Sequence, residues 1–288
     1  MGPPGEDPSA SLFLRLDPPL RLSADGPIIN PNDPQEVIMD KLILAVFCLL
    51  ALGFAGAASG QKRHETDTFP TGQGGHAGNL EITFLGHGTL MMTFAGKTIH
   101  VDPYGEVADY GSLPKADLVL VTHEHYDHLD PEACRIVLTP ATTVVSSKVC
   151  APKLPGAIVL ANGESRTVLG LPIEAVPAYN IAHKRPDGNP FHPKGAGNGY
   201  IITFGDKRVY VAGDTEDIPE MKALKAIDIA FLPMNLPYTM TPEQVAAAAR
   251  AFRPKVLYPY HFGDTDTSKL VKLLAGETGI EVRIRKMS

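Results

Sequence analysis

From residue 80 onward, apolar and polar positions alternate in short runs that end at glycine-containing turns. The runs 80–86, 89–96 and 97–103 have the length and the turn signals of β-strands. The run 117–123 is an almost unbroken apolar stretch, which is typical of a strand buried on both faces. This part of the pattern predicts antiparallel strands that come early in the domain.

Strands and helices alternate further along the chain. Asp130 followed by Pro131 indicates the start of a helix, and Thr241 with Gln244 forms a capping-box pattern at the apolar run 242–252. Early antiparallel strands followed by strand–helix alternation predict an α/β (α+β) domain, with two packed sheets and helices outside them.

We place this domain at 80–288. The N-terminal part of the chain differs from it in residue composition. Residues 1–38 are rich in Pro, Gly, Asp and Ser, and we expect a disordered segment or upstream sequence that a true start at Met39 would exclude. Residues 39–60 combine one lysine, an apolar run and small residues, which is the pattern of a signal peptide. Residues 61–79 are polar and glycine-rich and predict a flexible lead-in.

A signal peptide implies a periplasmic or secreted protein with no stable membrane insertion after cleavage. An uncleaved N-terminal helix that anchors the protein is the alternative. Of the three cysteines, cleavage would remove Cys48. An oxidising compartment would allow Cys134 and Cys150 to pair, and two buried free thiols are the other interpretation.

Composition narrows the class of partner. The 288 residues include 44% hydrophobic and 20% charged positions, and the net charge is −6. These values are typical of a globular protein and lack the basic excess of a nucleic-acid-binding protein. We therefore expect a small-molecule substrate and no nucleic acid, and we leave the oligomeric state open.

Ligand-type side chains gather directly after the buried strand. His123, His125, Asp127 and His128 lie within six positions, and imidazole with carboxylate is a common ligand set for transition metals. The spacing H-x-H-x-D-H lets one loop serve two ions, with the first two histidines facing one ion and the other two residues facing the second. Two adjacent ions would share a bridging hydroxide, which is a nucleophile at neutral pH.

These residues and three further segments resemble the metallo-β-lactamase superfamily of metallohydrolases over roughly 80–288. The segments IHVDP, VAGDT and YPYHF stand in the order of that family's motifs. The resemblance implies that Asp102 orients the metal-binding loop, that Asp214 bridges two metal ions and that His261 completes the second metal site. It also implies a four-layer αββα sandwich, the metallo-β-lactamase fold, with two divalent ions. Zn²⁺ is the expected ion, and Mn²⁺ or Fe²⁺ is the alternative.

One position departs from the family's pattern. The third motif places a histidine where this chain has Tyr179 and Asn180. Histidines follow at His183 and His192, and either could reach the first metal. We predict His192 as the ligand because Phe191 and a proline flank it and make the backbone stiff, which favours a preorganised ligand. His183 stays the alternative, although its charged neighbours indicate a solvated loop.

Two segments narrow the resemblance to one branch of the superfamily. FLGHGTLMM and THEHYDHLD look like the group that contains L-ascorbate-6-phosphate lactonase and the N-acyl-phosphatidylethanolamine phospholipase D type. We interpret His87, in the first segment, as a group that contacts substrate or supports a ligand, and Tyr238 as a donor to a developing oxyanion. A turn histidine and a packed aromatic without catalytic roles are the alternatives.

The expected function is that of an exported metal-dependent hydrolase. The bridging hydroxide, oriented by Asp127, would cleave a lactone, amide or phosphodiester bond in a small substrate. Lys184, Arg185 and Lys194 lie in the loop expected over the site and favour an anionic substrate. Two other classes stay open, a non-hydrolytic ligand-binding protein on the same fold and a redox protein that uses iron.

Overall fold

The computed structural model describes residues 64–72 and 78–287. Within them, fourteen strands form two seven-stranded sheets whose neighbouring strands are consecutive along the chain. The first sheet contains β1 (Glu65–Thr71), β2 (Gly78–Gly86), β3 (Thr89–Phe94), β4 (Lys97–Val101), β5 (Leu118–Val121), β6 (Thr143–Ser146) and β7 (Ile158–Val159). The second contains β8 (Ser165–Val168), β9 (Leu171–Ala178), β10 (Gly197–Phe204), β11 (Lys207–Val211), β12 (Ile229–Pro233), β13 (Val256–Tyr260) and β14 (Glu281–Val282). The described helices are α1 (Pro131–Val137), α2 (Pro219–Lys222), α3 (Pro242–Phe252) and α4 (Thr267–Leu274), with a 3-10 turn at Ala151–Lys153.

Both sheets change from antiparallel to parallel pairing at their fourth strand. In the first sheet, β1 to β4 pair antiparallel and β4 to β7 pair parallel. In the second sheet, β8 to β11 pair antiparallel and β11 to β14 pair parallel. Antiparallel neighbours need only tight turns, whereas parallel neighbours need longer crossover connections, and the four helices lie in those connections.

The main core lies between the two sheets. Leu118 and Leu120 of β5 belong to this cluster, together with apolar side chains from both sheets and from α3 and α4. Val119 and Val121 face the other side of the first sheet, where they pack with Cys134 and other side chains of α1. β5 is therefore buried on both faces, as its apolar pattern predicts. The predicted pair of packed sheets with helices outside them is confirmed.

Two helices begin at the capping residues that the sequence shows. The Asp130 side chain accepts hydrogen bonds from the backbone N–H groups of Glu132 and Ala133 at the start of α1. Thr241 and Gln244 form the complete capping box at the start of α3. Caps are local interactions, so short sequence patterns predict them well. The short helix α2 has no side-chain cap and was not predicted.

The structure corrects the predicted flexible lead-in 61–79. Glu65–Thr71 forms β1 and pairs along its length with β2, so the folded domain begins earlier than expected. Asp67 of this strand accepts hydrogen bonds from the Tyr258 hydroxyl and from the Arg285 guanidinium. Both donors are far away in sequence, so local composition could not reveal the strand.

The predicted upstream segment 1–38 and the predicted signal peptide 39–60 lie outside the described residues. Within the described part, no helix combines the length and the apolar character that crossing a membrane requires. Cys134 and Cys150 are free and buried, which agrees with the interpretation as two unpaired thiols.

Candidate metal centre

One edge of the sandwich collects residues from both sheets. The first sheet contributes His87 from the β2–β3 turn, Asp102 from the end of β4, and the loop 122–128 after β5. The second sheet contributes side chains that follow β9, β11, β12 and β13, namely Asn180, His192, Asp214, Asn235 and His261. Parallel strands end on the same side of a sheet, which brings these distant residues together.

Three groups of ligand-type side chains lie at this edge. Within each group, the potential donor atoms are within 4.8 Å of one another. The groups are His123, His125, His192 and Asp214; His87, Asp127 and His261; and His128, Asp214 and His261. Asp214 and His261 each belong to two groups, so the three form one continuous centre. The structure thus brings all seven predicted metal ligands together and places His87 beside them.

Asp102 and Thr122 orient two imidazoles of the first sheet. Asp102 Oδ2 accepts hydrogen bonds from His128 Nδ1 (2.8 Å) and from Thr122 Oγ1 (2.6 Å). Because the single hydroxyl proton of Thr122 goes to Asp102, Thr122 Oγ1 must accept the 3.0 Å hydrogen bond from His123 Nδ1. Both imidazoles therefore carry a proton on Nδ1 and present Nε2 to the centre, which is how a second hydrogen bond prepares a metal-binding histidine.

Asn180 orients the corresponding imidazole of the second sheet. Its Oδ1 accepts hydrogen bonds from the backbone N–H and from Nδ1 of His192, both at 2.7 Å. Its Nδ2 donates to Glu216 Oε1 (3.0 Å) and to the Tyr238 carbonyl oxygen (2.8 Å). These four contacts determine the orientation of the amide, so Nε2 of His192 is left to face Asp214 Oδ2 at 3.2 Å. Asn180, one of the two residues at which the family resemblance predicts a histidine, is here a hydrogen-bond partner of a ligand-type residue.

His183 lies apart from the three groups. Its Nδ1 donates a 2.6 Å hydrogen bond to the Thr239 carbonyl oxygen, and its backbone N–H donates to Glu216 Oε1 at 2.7 Å. Glu216 is 1% exposed and also accepts from the backbone N–H of Ala182. The structure therefore places His192, and not His183, among the ligand-type groups.

Several buried polar atoms of the centre have no hydrogen-bond partner. Among the described residues, seven buried side-chain N or O atoms lack one. Three of the seven belong to the centre: His128 Nε2, Asp214 Oδ1 and His261 Nε2. Buried polar atoms in native proteins are almost always paired, and imidazole nitrogens and carboxylate oxygens are metal ligands. The residues present therefore fit divalent metal ions.

Neighbouring charges shift the pKa values of two buried groups of the centre. Burial alone would raise the pKa of Asp214, but the neighbouring imidazoles, first of all His261 and His128, hold that pKa well below its usual range. Burial alone would lower the pKa of His128, but Asp214 and Asp102 raise it to about 9. Asp214 thus stays ionised among the imidazoles, and an ionised carboxylate is a ligand for divalent cations.

The backbone takes uncommon conformations at three points of the centre. His87, Asp102 and His261 have positive φ angles of 51°, 47° and 45°. Few residues with side chains adopt this region, and such residues concentrate at functional sites. At Gly88, an added Cβ would lie 2.7 Å from His128 Cε1. Glycine is required there because imidazoles pack directly against the backbone.

A cavity of about 580 Å³ opens onto the centre. His87 and Asp127 line it, with His87 Nε2 3.0 Å from Asp127 Oδ2. Tyr238 lines it too and is 45% exposed, with its ring 5.0 Å from that of Phe191. The structure thus places these three residues on the wall of one cavity, and their catalytic roles stay predictions.

Several supporting residues were not found from the sequence. Thr122 stands next to the histidine motif, so its position was a usable signal. Asn180 was noted only as a departure from the family's pattern. Nothing local marks Glu216 or Gly88, because their importance depends on contacts with distant strands.

Comparison with known sequences agrees with this site. A sequence model of the Beta-lactamase superfamily domain matches residues 81–261, which include every predicted metal ligand. A UPF0173 metal-dependent hydrolase from Symbiobacterium thermophilum is 30% identical over 224 residues, which are 72% of this chain and 92% of that protein.

Comparison with solved structures supports the same family. A candidate metal-dependent hydrolase from Parabacteroides distasonis is 50% identical, with a TM-score of 0.74 over 78% of this chain and 100% of that one. Igni18, a metallo hydrolase from Ignicoccus hospitalis, is 26% identical, with a TM-score of 0.60 over 73% of this chain and 96% of that one. The predicted metallo-β-lactamase fold is confirmed, whereas the narrower branch stays a prediction. The chain therefore belongs to the metallo-β-lactamase superfamily of metal-dependent hydrolases.

Proposed function

We propose that this protein is a binuclear hydrolase, with Zn²⁺ as the expected ion, that acts on small molecules. The observation that carries the proposal is the set of unpartnered buried atoms on His128, Asp214 and His261, which form one ligand-type group beside two others. Asp214 supports two metal ions per chain, because it belongs to one ligand-type group with His192 and to another with His261.

The seven ligand-type side chains would divide into two sets, one for each ion. His123, His125 and His192 would hold one ion, and Asp127, His128 and His261 the other. Asp214 would belong to both sets. When bound, two divalent ions would supply the Lewis acidity that activates a water molecule and polarises the bond to be cleaved.

The side chains on the cavity wall would orient the attacking water and stabilise the negative charge that develops on the substrate. Burial alone would raise the pKa of Asp127, but the neighbouring imidazoles, first of all His261 and His87, hold that pKa well below the usual range. The carboxylate therefore stays ionised and can accept a hydrogen bond from an attacking water. His87 holds Asp127 in place through the 3.0 Å contact, and the hydroxyl of Tyr238 can donate to a developing oxyanion.

The size of the cavity supports a small-molecule substrate. Its volume of about 580 Å³ suits one small ligand. Lactone, amide and phosphodiester bonds are the candidates, because each passes through a transition state with negative charge on oxygen. The net charge of −6 also argues against nucleic acid as a partner.

Metal analysis of the purified protein, with an activity panel, tests this proposal. We expect two equivalents of divalent metal per chain and hydrolysis of at least one chromogenic lactone, amide, β-lactam or phosphodiester. Removal of metal by a chelator should abolish this activity, and added Zn²⁺ should restore it. A protein that takes up no stoichiometric metal would contradict the proposal.

We also propose export, on the strength of the signal-peptide pattern at 39–60. N-terminal sequencing of the native protein tests this, with a mature start expected directly after the small residues at 55–60. A native protein that still contains residues 39–54 would contradict cleavage and favour the anchored alternative.

A further inference from the structure

Large apolar side chains are exposed in the loops of the metal centre, and some of them line the cavity. Nine large hydrophobic residues are exposed within 64–72 and 78–287, and four of them lie in the loops that carry the metal centre. These four are Tyr126, Ile181, Leu236 and Tyr238, and Tyr126 is the most exposed of all at 71%. Tyr126 and Tyr238 also line the cavity, together with Phe191. A cluster of exposed apolar groups at a cavity indicates a ligand-binding surface.

Arg185 supplies a positive charge on the same wall. It is the one lysine or arginine among the residues that line this cavity. Its guanidinium lies over the ring of Phe191, 5.2 Å from the ring centre, and its Nη2 donates a 3.4 Å hydrogen bond to the Phe191 carbonyl oxygen. Its backbone N–H donates to Asn189 at 2.7 Å. These contacts hold a cation beside an aromatic wall.

No described carboxylate forms an ion pair with Arg185. Asp187 is near, and its pKa is lowered first by hydrogen bonds from Asn189 and also by the charge of Arg185, but the two side chains do not meet. The other two cations of this loop differ from Arg185. Lys194 pairs with Glu220 at 2.9 Å, and Lys184 does not line the cavity. Of the three cations that could bind an anionic substrate, only Arg185 therefore lines the cavity without an ion-pair partner among the described residues.

We propose that the substrate carries an oxyanion, a carboxylate or phosphate, on an apolar arm, and that Arg185 binds this oxyanion. The planar guanidinium matches both oxyanions. Phe191, Tyr126 and Tyr238 contact the apolar arm, while the bond to be cleaved lies at the metal centre. Glu106, also on the wall, disfavours an anion on its own side of the cavity. The inference rests on the proposed function, because it assumes metal ions at the inner end of the cavity.

Calorimetric titration of the zinc-loaded protein tests the inference with dicarboxylates from succinate to suberate, each compared with its monomethyl ester. One carboxylate can occupy the metal centre, and the second can then reach Arg185 at the right chain length. We expect one dicarboxylate to bind roughly three- to tenfold more tightly than its half-ester. Arg185→Gln should abolish the difference. Lys184→Gln, which removes the neighbouring exposed cation, should keep it.

Two further ligands sharpen the test. A phosphonate in place of the outer carboxylate distinguishes the two oxyanions by affinity. Galactarate, a hydroxylated analogue of adipate, tests the apolar arm and should bind more weakly than adipate. Equal affinity of galactarate and adipate would overturn the apolar part of the proposal.

The outcomes separate this inference from the proposed function. The zinc content of each sample is measured first, and a protein that takes up no zinc overturns the proposed function and the inference with it. A zinc-loaded protein that binds every dicarboxylate and its half-ester equally overturns only the inference. So does a preference for the dicarboxylate that survives Arg185→Gln.

Discussion

The two halves of the domain share one strand plan but present their ligand-type residues differently. In the half built from β1 to β7, a single loop after β5 supplies His123, His125, Asp127 and His128. In the half built from β8 to β14, the ligand-type residues follow three different strands; they are His192, Asp214 and His261. One half thus carries its ligand-type residues in one loop, and the other half carries them in three separate loops.

The supporting contacts differ in the same way. Asp102, together with the Thr122 hydroxyl that it binds, orients both His128 and His123. In the other half, Asn180 holds His192, while the Asn235 side chain lies 3.3 Å from His261 Nδ1. A compact loop needs one shared support, whereas dispersed residues each need their own. This difference is open to experiment.

The largest effect is expected at Asp214, where the two halves meet. Asp214→Asn removes the charge shared by two ligand groups, and we expect the loss of at least one metal equivalent and of hydrolysis by on the order of 10³-fold. Metal analysis and the activity panel measure both. Asp206→Asn, at an exposed turn, serves as the control and should leave both unchanged. Full retention of two metal equivalents in Asp214→Asn would disprove the shared role.

Because Asn180 and Thr122 orient different histidines, we expect substitution of either residue to weaken metal binding. Asn180→Ala removes the acceptor for His192 Nδ1, and Thr122→Val removes the acceptor for His123 Nδ1. Each should weaken metal binding roughly ten- to a hundredfold, as measured by competition with a chelating dye. Asn180→Asp keeps the acceptor but sets a carboxylate against Glu216, so its affinity should lie between those of Asn180→Ala and the native protein. Native affinity in Asn180→Ala would rule out the role of Asn180.

Close packing at Gly88 should affect stability as well as binding. In Gly88→Ala, the new methyl group meets His128, and overpacking of this kind costs about 1–3 kcal/mol of the free energy of unfolding. Urea unfolding of the metal-free protein measures this free energy. Gly78→Ala is the matched control, because an added Cβ at that position meets nothing within 4 Å. Equal stability of the two variants would show that His128 can move away from the new methyl group without lowering the free energy of unfolding.

The smallest effects are expected at the two helix caps, one in each half. Thr241→Ala should lower the free energy of unfolding by about 1 kcal/mol through loss of the capping box. Asp130→Ala should cost more, because its second oxygen also accepts a 2.9 Å hydrogen bond from the backbone N–H of Gly105. Thermal unfolding of both variants compares them. A larger loss in Thr241→Ala would reverse this ranking.

Local patterns predicted much of the fold. The apolar run of β5, the cap at Asp130 and the box at Thr241 are encoded within a few residues of where they act. β1 was missed because its partners lie in other elements, including the distant arginines that bind Asp67.

The residues of the candidate site show the same difference between local patterns, which the sequence reveals, and distant contacts, which it does not. The spacing of the histidine loop predicts metal chemistry by itself. Asp102, Asp214 and His261 came from the family resemblance, and the choice of His192 came from the stiffness of its neighbours. The roles of Asn180 and Glu216 could not be predicted, because a hydrogen bond between residues 36 positions apart leaves no periodic trace in the sequence.

By itself, the sequence determined most of the strands, the two capped helices, the apolar run of β5 and one compact loop rich in ligand-type residues. Only the tertiary structure decided which histidine joins that loop, which ring nitrogens face inward and which of three cations lines the cavity. The physical reason is that periodicity and caps depend on neighbours along the chain, whereas a coordination site depends on where the ends of separate strands meet in space.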